Sequence, residues 1–344
     1  MKEYSLYKKI MLICFLQAPF VLFAQWQNYK IDTLHSFRSI HVLDKNTIWA
    51  GGTKGTVLKS NNGGKTWENM KVKDAELLDF RDIHAWDAKT ALVMAAGNGE
   101  NGMAKIFKTI DGGVSWKMVF VTTEKGTFFD SIDFLTDKQG FLVGDVIDGK
   151  PYILKTTNAG ESWKRISTQK MPNMKPKEAS FAASGTSLIA NHGKIWICTQ
   201  GRILTSSNKG KTWQVFDTPF EAGESRGIFG LHFWSANEGV AVGGDYRGEH
   251  LPLKNIAITH DGGKTWQFVN DALPQGLKEA AFLVNNKNLI VTGPSGTSTS
   301  SDFGKTWQVL DSQPFHAMSC QQNTCWLIGG KGRLASYEFR KDNN

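Results

Sequence analysis

The chain has 344 residues, of which 40% are apolar and 35 are glycine, and its formal net charge at pH 7 is +8. A chain of this length could form two ordinary domains or one large closed domain. Because no arginine-rich run or recognition motif accompanies the positive charge, nucleic-acid binding is not expected, and the charge indicates at most a mild preference for anionic partners.

The first 24 residues have the pattern of a secretory signal peptide. Three lysines precede a mostly apolar run at residues 10–24, and the small Ala24 precedes Gln25 at a suitable cleavage point. The run is shorter than the roughly 20 residues that span a bilayer, so export is expected, with an uncleaved anchor as the alternative. A lipoprotein signal has a small residue before its cysteine, whereas Ile13 precedes Cys14, so lipidation at Cys14 is not expected.

One eight-residue phrase then occurs six times, with variations. The first is SNNGGKTW at residues 60–67, and the others keep Ser/Thr at position one, Asn/Asp at three, Gly at five, Ser/Thr at seven and Trp at eight. The phrases end at Trp67, Trp116, Trp163, Trp213, Trp266 and Trp307. Periods of roughly 40–50 residues are typical of propellers and related repeat folds.

Each repeat predicts four short strands. In the first unit the runs are FRSIHVL, TIWAGG, TVLKS and WENM, and the phrase connects the third run to the fourth. The hydroxyl and Asn/Asp side chains of the phrase can bond to nearby backbone amides and fix a tight turn. Short strands at even spacing favour an all-β radial repeat, and no sustained helical period is present, so almost no helix is expected.

The ends of the chain indicate a seventh unit. Residues 315–340 supply three more strand-like runs without a phrase or a fourth strand, while QWQNY at residues 25–29 resembles the missing strand. We therefore predict one all-β domain over residues 25–344. It is a seven-bladed propeller with four-stranded antiparallel blades, in which the N-terminal strand completes the C-terminal blade and leaves no free edge between them.

The recurring phrase resembles the Asp-box, or BNR repeat, of sialidases and sortilin-type receptors. Over residues 25–340 the chain is similar to the photosystem II stability/assembly factor-like family, on stretches such as IWAGGTKGTVLKSNNGGKTW and RGIFGLHFWSANEGVAVGG. The resemblance implies an exported, binding-type propeller. It does not imply a photosystem, because bacterial relatives occur in organisms that do not photosynthesise, and the box itself is found in enzymes and non-enzymes alike.

The ligand-facing side chains of a propeller are expected at the rim opposite the boxes. At the entries to the seven first strands, alignment of the repeats gives Arg38, Arg81, Asp130, Ala179, Arg226, Glu279 and His316. The turns behind them add Lys54, Asp145, Arg202, Asp245, Arg247 and Lys331. We expect these side chains to converge on the mouth of the central channel, where Tyr246 in the long turn Gly243–Asn255 would add apolar area.

The function that this ring favours is binding. Arginines can hold carboxylates through paired hydrogen bonds, so we expect a non-catalytic scaffold for a protein or peptide, rather than for a small molecule. The chain is expected to be a monomer with no cofactor and no metal.

The alternative is a carbohydrate-active protein, a glycoside hydrolase or a lectin, with its site at the same mouth. A hydrolase needs two facing carboxylates, for example Asp130 with Asp145 or Glu279 with Asp245. Three mouth arginines also occur in sialidases, but no tyrosine here lies in a context resembling the sialidase nucleophile. No serine–histidine–aspartate set can be assembled either.

Two of the cysteines suggest a disulfide. Cys320 and Cys325 flank QQNT, which predicts a hairpin turn, and cross-strand neighbours come within about 5.5 Å, close enough for a bridge. Two reduced thiols are the alternative. Cys198 lies in the apolar run IWIC and is expected to be a buried thiol.

Overall fold

The fold is a closed ring of sheets, seen in a computed structural model that describes residues 25–269 and 274–339. The predicted leader, residues 1–24, lies outside the described residues. Within them, 28 strands form seven four-stranded antiparallel sheets, and the only helical segments are three short 3-10 turns, Gly99–Asn101, Thr168–Lys170 and Gly330–Gly332. The prediction of a seven-bladed propeller with almost no helix is confirmed.

The first strand along the chain, β1, spans Gln25–Lys30. Blade 1 contains β2 (Phe37–Val42), β3 (Ile48–Gly52), β4 (Val57–Ser60) and β5 (Glu68–Asn69). Blade 2 contains β6 (Asp79–Ala85), β7 (Ala91–Ala96), β8 (Lys105–Thr109) and β9 (Lys117–Val121). Blade 3 contains β10 (Phe129–Phe134), β11 (Gly140–Ile147), β12 (Lys150–Thr156) and β13 (Lys164–Arg165).

The remaining blades follow in the same order. Blade 4 contains β14 (Leu188–Asn191), β15 (Lys194–Cys198), β16 (Arg202–Ser206) and β17 (Gln214–Asp217). Blade 5 contains β18 (Arg226–Phe233), β19 (Gly239–Asp245), β20 (Ile256–Thr259) and β21 (Gln267–Phe268). Blade 6 contains β22 (Ala280–Val284), β23 (Asn288–Gly293), β24 (Gly296–Ser300) and β25 (Gln308–Asp311). Blade 7 contains β26 (Ala317–Gln321), β27 (Thr324–Ile328), β28 (Arg333–Glu338) and, as its fourth strand, β1.

The N-terminal strand closes the ring as predicted. β1 pairs antiparallel with β28 over its whole length, from Gln25 opposite Glu338 to Lys30 opposite Arg333. Trp26 packs edge-on against Phe315, with ring centroids 5.9 Å apart. The last blade is therefore built from both ends of the described chain.

The six boxed turns share one hydrogen-bond pattern. In each, the hydroxyl at position one accepts from the amide of the glycine at position five, at 2.8 to 3.0 Å. The Asn/Asp oxygen at position three accepts from the amide of the Ser/Thr at position seven, at 2.9 to 3.1 Å. The sequence therefore fixes these turns through bonds inside the phrase itself.

Lysines on the third strands tie neighbouring blades together. Lys59 Nζ donates to the carbonyl of Ala88 in the next blade, at 2.5 Å, and lies 4.8 Å from the centre of the Trp49 ring. Lys108 repeats the arrangement one blade further, with Nζ 2.8 Å from the carbonyl of Ala159. The cation–π contact and the carbonyl bond compensate the lysine for its partial burial.

The hairpin between β26 and β27 carries the disulfide suggested by the sequence. Cys320 and Cys325 are direct cross-strand partners, with Cα atoms 4.0 Å apart, and their Sγ atoms are bonded. Cys198 is buried and free.

Candidate binding site at the channel mouth

The first strands of the blades surround the axis, and neighbouring first strands contact one another around the ring. In four of them a bulge shifts the register near the start of the strand, and the extra residue is Arg38, Arg81, Asp130 or Phe229. A bulge leaves its extra residue outside the ladder and redirects the side chain. The bulge therefore defines the equivalent mouth position in these blades.

In blade 5 the equivalent mouth position is occupied by Phe229 and not by the predicted Arg226. The ladder between β18 and β19 begins at Arg226, three residues before the bulge residue Phe229. Arg226 instead bonds Asp245 Oδ2 through Nε at 3.2 Å and Glu221 Oε1 through Nη1 at 2.8 Å. The prediction that Arg226 joins Arg38 and Arg81 was wrong. The alignment matched the arginines by charge, whereas the equivalent residue of blade 5 is Phe229, three residues further along a longer strand.

Blade 4 departs from the expected alignment as well. Its first strand begins only at Leu188, which pairs with Ile197 as Ile40 pairs with Ala50, so that Thr186, not Ala179, lies at the position equivalent to Arg38. The residues before it form an irregular segment across the mouth and bring Phe181 towards the axis. An apolar segment thus takes the place of a charged entry residue.

Near the axis, side chains from several blades enclose a cavity of about 330 Å3, here called the axial cavity. It is lined by Arg38, Arg81, Phe181, Ala182, Ala183, Phe229, Tyr246, Glu249, Glu279 and His316. The structure thus brings together five of the predicted residues, Arg38, Arg81, Glu279, His316 and Tyr246. The predicted residues that do not line this cavity are Lys54, Asp130, Asp145, Ala179, Arg202, Arg226, Asp245, Arg247 and Lys331.

Arg38, Glu279 and His316 form the charged side of the axial cavity. His316 Nδ1 lies 2.8 Å from Glu279 Oε2, and Arg38 Nη1 lies 3.7 Å from Glu279 Oε1. Glu279 is almost fully buried, so it needs both partners, whereas Arg38 keeps about a quarter of its side chain exposed. Nε and Nη2 of Arg38 make no hydrogen bond within the described residues and remain available to a ligand.

Arg81 is held beside this cluster by two fixed contacts. Its Nε bonds Asp79 Oδ2 at 2.7 Å, and its Nη1 donates to the carbonyl of Ala182 at 3.0 Å. Its Nη2 has no partner in the part of the chain that the structure describes. Two guanidinium groups of fixed orientation therefore face one cavity, an arrangement suited to an anion.

Aromatic rings form the opposite side. Phe181 and Phe229 are stacked, with centroids 4.0 Å apart, and Tyr246 meets the edge of Phe181 at 6.0 Å. Tyr246 is 44% exposed. Outside it, Arg247 bonds both carboxylate oxygens of Glu224, at 2.7 and 3.2 Å. The cavity thus has arginines paired with carboxylates on one side, Arg38 with Glu279 and Arg81 with Asp79, and aromatic rings on the other.

Neither carboxylate pair that would suit a glycoside hydrolase faces this cavity together. Asp130 is buried, and burial together with Asp145 raises its pKa well above the usual range. Burial raises the pKa of Asp145 to about 6. Asp245 is buried beneath Arg226, so it does not meet Glu279 in the cavity. Among the described residues, no group of three His, Cys, Asp or Glu side chains is placed to hold a metal ion.

The alignment missed the aromatic side of the cavity. Phe181 and Phe229 lie in stretches where the repeat pattern is interrupted. Their position in the wall of the cavity is seen only in the structure. The available signal was their aromatic character inside FAAS and IFGL, since Phe229 occupies the position that carries an arginine in blades 1 and 2. Lys54 and Lys331 are exposed in their turns and do not line the cavity.

Comparison with known proteins places the chain among propellers of this kind. The BNR/Asp-box repeat model matches residues 257–268, which include the box of blade 5. Within the described residues, none of the helices has the length and apolar character to cross a membrane.

Two curated relatives match most of the chain. The photosystem II assembly lipoprotein Ycf48 of Picosynechococcus sp. (strain ATCC 27264 / PCC 7002 / PR-6) is 21% identical over 329 residues, covering 82% of this chain and 90% of that protein. Ycf48 of Synechococcus sp. (strain CC9902) is 22% identical over 285 residues, covering 79% and 74%.

Among solved structures, one of Ycf48 bound to a D1 peptide superposes with a TM-score of 0.64 at 16% identity, covering 92% of this chain and 95% of that one. At this identity the superposition supports the fold alone. The chain is a seven-bladed β-propeller of Asp-box repeats that is similar, over most of its length, to the Ycf48 photosystem II assembly lipoproteins.

Proposed function

We propose that this chain is an exported, non-catalytic propeller that binds a protein partner at its channel mouth and acts in assembly or stabilisation of that partner. The observation that carries the proposal is the axial cavity, in which Arg38 and Arg81 face an aromatic wall. Two findings on relatives support it: the similar Ycf48 proteins are named assembly lipoproteins, and a propeller of the same fold binds a peptide of D1.

The cavity favours a peptide segment that carries a carboxylate next to an apolar side chain. The carboxylate would bond the free nitrogens of Arg38 and Arg81, and the apolar side chain would pack on Phe181, Phe229 and Tyr246. Arginine and tyrosine at the centre of an interface often account for much of its binding energy. The photosystem itself does not transfer to this chain, so the partner is defined by this chemistry alone.

Export rests on two observations that point the same way. The first 24 residues carry a basic start and an apolar run, and the curated relatives are lipoproteins. A protein that is exported can form its disulfide between Cys320 and Cys325. Fractionation of cells that produce the full chain tests this part of the proposal, and recovery of the uncleaved chain in the cytosol contradicts it.

The binding site is tested by affinity purification of the exported protein, followed by mass spectrometry and titration of the recovered partner. We expect the double change R38A/R81A to weaken binding about 100-fold, because it removes two charge-assisted contacts. The matched control is Arg165→Ala, which removes an arginine from the outer strand of blade 3. Circular dichroism of all variants checks that the ring is folded.

Two outcomes contradict the proposal. If the double variant recovers the partner as well as the wild type does, the partner does not use this cavity. If the wild type hydrolyses one of a panel of fluorogenic glycosides, and purified R38A/R81A does not, the mouth is a catalytic site and the alternative carbohydrate function is supported.

A further inference from the structure

A second cavity, here called the blade-4 cavity, lies on the mouth side of blade 4. Its volume is about 590 Å3, within the usual range for small-molecule sites. The loop at residues 175–179 and the connection at residues 217–224 form its walls, and the turn at residues 200–202 forms its floor. None of its lining residues lines the axial cavity, so it is a separate site.

A fixed arginine lies at the floor of this cavity. Arg202 is only 8% exposed, and its Nε donates to Glu178 Oε1 at 2.9 Å while its Nη2 bonds Glu178 Oε2. Nη2 also donates to the carbonyl of Asn173, at 3.4 Å. Within the described chain Nη1 makes no hydrogen bond, although the side chain lines the cavity. Arg202 therefore presents a donor whose orientation is set before any ligand arrives.

Gln200 supplies a second fixed donor. Its Oε1 accepts from the amide of Ala179 at 2.7 Å, which settles the orientation of the side-chain amide. Its Nε2 has no hydrogen-bond partner among the residues described. Both oxygens of Glu178 are already occupied, since Oε1 also accepts from Thr199 and Oε2 also accepts from the amide of Lys175. The floor thus offers N–H donors to a ligand.

The lining of the cavity is balanced in formal charge, with Lys175, Lys177 and Arg202 against Glu178, Asp217 and Glu224, and Arg247 adds a cation outside it. Each carboxylate of the lining has a basic partner. The pairs are Glu178 with Arg202, Asp217 with Lys175, and Glu224 with Arg247. Lys177 is exposed and forms no salt bridge within the described residues, but its charge acts on Glu224, whose pKa is lowered by Arg247 and to a smaller extent by Lys177. Its backbone has a φ of 63°, which it adopts as the third residue of a turn closed by the bond from the Glu178 amide to the carbonyl of Lys175, at 3.1 Å.

We propose that the blade-4 cavity binds a small monocarboxylate with an apolar body. The carboxylate would accept hydrogen bonds from Arg202 Nη1 and Gln200 Nε2 and would neutralise Lys177. The apolar body would contact Phe220 and Ala222 on the wall. This inference goes beyond the proposed protein-binding function, since it concerns a different ligand at a different place.

Isothermal titration of the purified protein with hippurate tests the proposal. Hippurate joins a carboxylate to an amide and a phenyl ring, and hippuramide is the same molecule without the charge. We expect hippurate to bind with saturation at one site and hippuramide to bind about tenfold more weakly.

Two variants assign the binding to this cavity. Lys177→Asn removes the lysine charge and keeps a residue that tolerates positive φ, so we expect hippurate to bind about tenfold more weakly. Lys209→Asn is the matched control, because Lys209 has a φ of 60° but lies in the box of blade 4 at the other rim. Ala222→Trp should abolish binding, because Ala222 lines the cavity and is exposed, so that a large ring in its place would occupy the space of the ligand.

The outcomes separate this site from the axial cavity. Binding of hippurate that R38A/R81A abolishes and Ala222→Trp leaves unchanged would place the carboxylate at the axis and overturn the proposal. Absence of saturable binding to the wild type would overturn it as well. Equal loss in Lys177→Asn and Lys209→Asn would show a general charge effect instead of a built site.

Discussion

At the scale of single residues, Asp130 is a carboxylate that folding removes from water without giving both oxygens a partner. Its side chain is 1% exposed, and Oδ2 has no hydrogen bond within the described residues. Burial and the neighbouring Asp145 raise its pKa well above the ordinary 3.8, and Arg81 offsets only part of this. The folded protein therefore binds a proton at Asp130 more tightly than the unfolded chain does.

The sign of the pH dependence follows from this difference. Because the folded pKa is raised, the stabilisation from the bound proton is fully present below about pH 4 and is lost as the pH rises through the folded value. We predict that Asp130→Asn raises the free energy of unfolding at pH 8 by at least about 1–3 kcal/mol, because the amide does not ionise and so avoids the cost of holding a carboxylate away from water. The gain should disappear at pH 4.

Urea unfolding at pH 4, 6 and 8 measures the effect, with Asp137→Asn at an exposed turn as the control. A variant that is less stable than the wild type at pH 8 would mean that the Asp130 charge is favourable in the fold. Asp145→Asn should also be more stable than the wild type at high pH. The difference should stop growing near pH 6, because burial raises the pKa of Asp145 to about 6.

Two arginines of the site were predictable from the sequence, whereas a third predicted arginine, Arg226, lies outside the site. Arg38 and Arg81 occupy the same place in FRSI and FRDI, so alignment alone put them side by side. Arg226 shares their charge but not their backbone, because the bulge of blade 5 comes three residues later, at Phe229. Charge can be read along a sequence, whereas the position of a bulge depends on pairing with the next strand.

At the scale of elements, the boxed turn is the best specified part of the chain. Ser206, the first residue of the fourth box, is buried and accepts from the amide of Gly210 at 3.0 Å. The next residue, Ser207, is exposed. The same turn thus contains a serine that bonds the backbone and a serine that faces solvent, which gives a matched pair.

We predict that Ser206→Ala lowers the free energy of unfolding by about 1–3 kcal/mol, because it leaves the buried Gly210 amide without an acceptor. Ser207→Ala should change it by less than about 0.5 kcal/mol, as surface substitutions usually do. Urea unfolding of both variants provides the comparison. Equal effects would mean that the box hydroxyl does not hold the turn.

At the scale of the whole molecule, stability depends on closure by β1. This strand supplies the outer edge of blade 7, and its Tyr29 lies 5.2 Å from Trp326, ring centre to ring centre. Without it, β28 would have an unpaired edge and the aromatic contacts of blade 7 would be lost. An exposed strand edge is also a site for unwanted pairing between molecules.

Closure can be tested with two chains, one that begins at Gln25 and one that begins at Ile31 and therefore lacks β1. We expect the shorter chain to lose at least about 3 kcal/mol of stability, the usual cost of removing a large aromatic side chain from a core, and to self-associate. Urea unfolding and light scattering measure the two effects. An unchanged midpoint together with a monomeric chain would falsify closure by β1.

Six of the seven blades could be predicted from the sequence because each of the six contains the local phrase. The seventh blade needed one more step, the match between the two ends of the chain, and β1 confirms it. The shape of the mouth could not be predicted in the same way. It depends on segments such as residues 175–187 and Gly243–Asn255, whose paths are set by contacts between blades rather than by a repeated pattern.

The turns of the box rim are held by bonds within eight consecutive residues and by bonds to neighbouring turns of the same rim, such as that from the Gly63 amide to the carbonyl of Asn46. The conformation of such a turn does not depend on the segments at the opposite rim. Segments at the channel mouth can therefore be lengthened, shortened or exchanged while the frame stays as it is. A chain of this design is a natural starting point for transplanting recognition loops from one propeller to another.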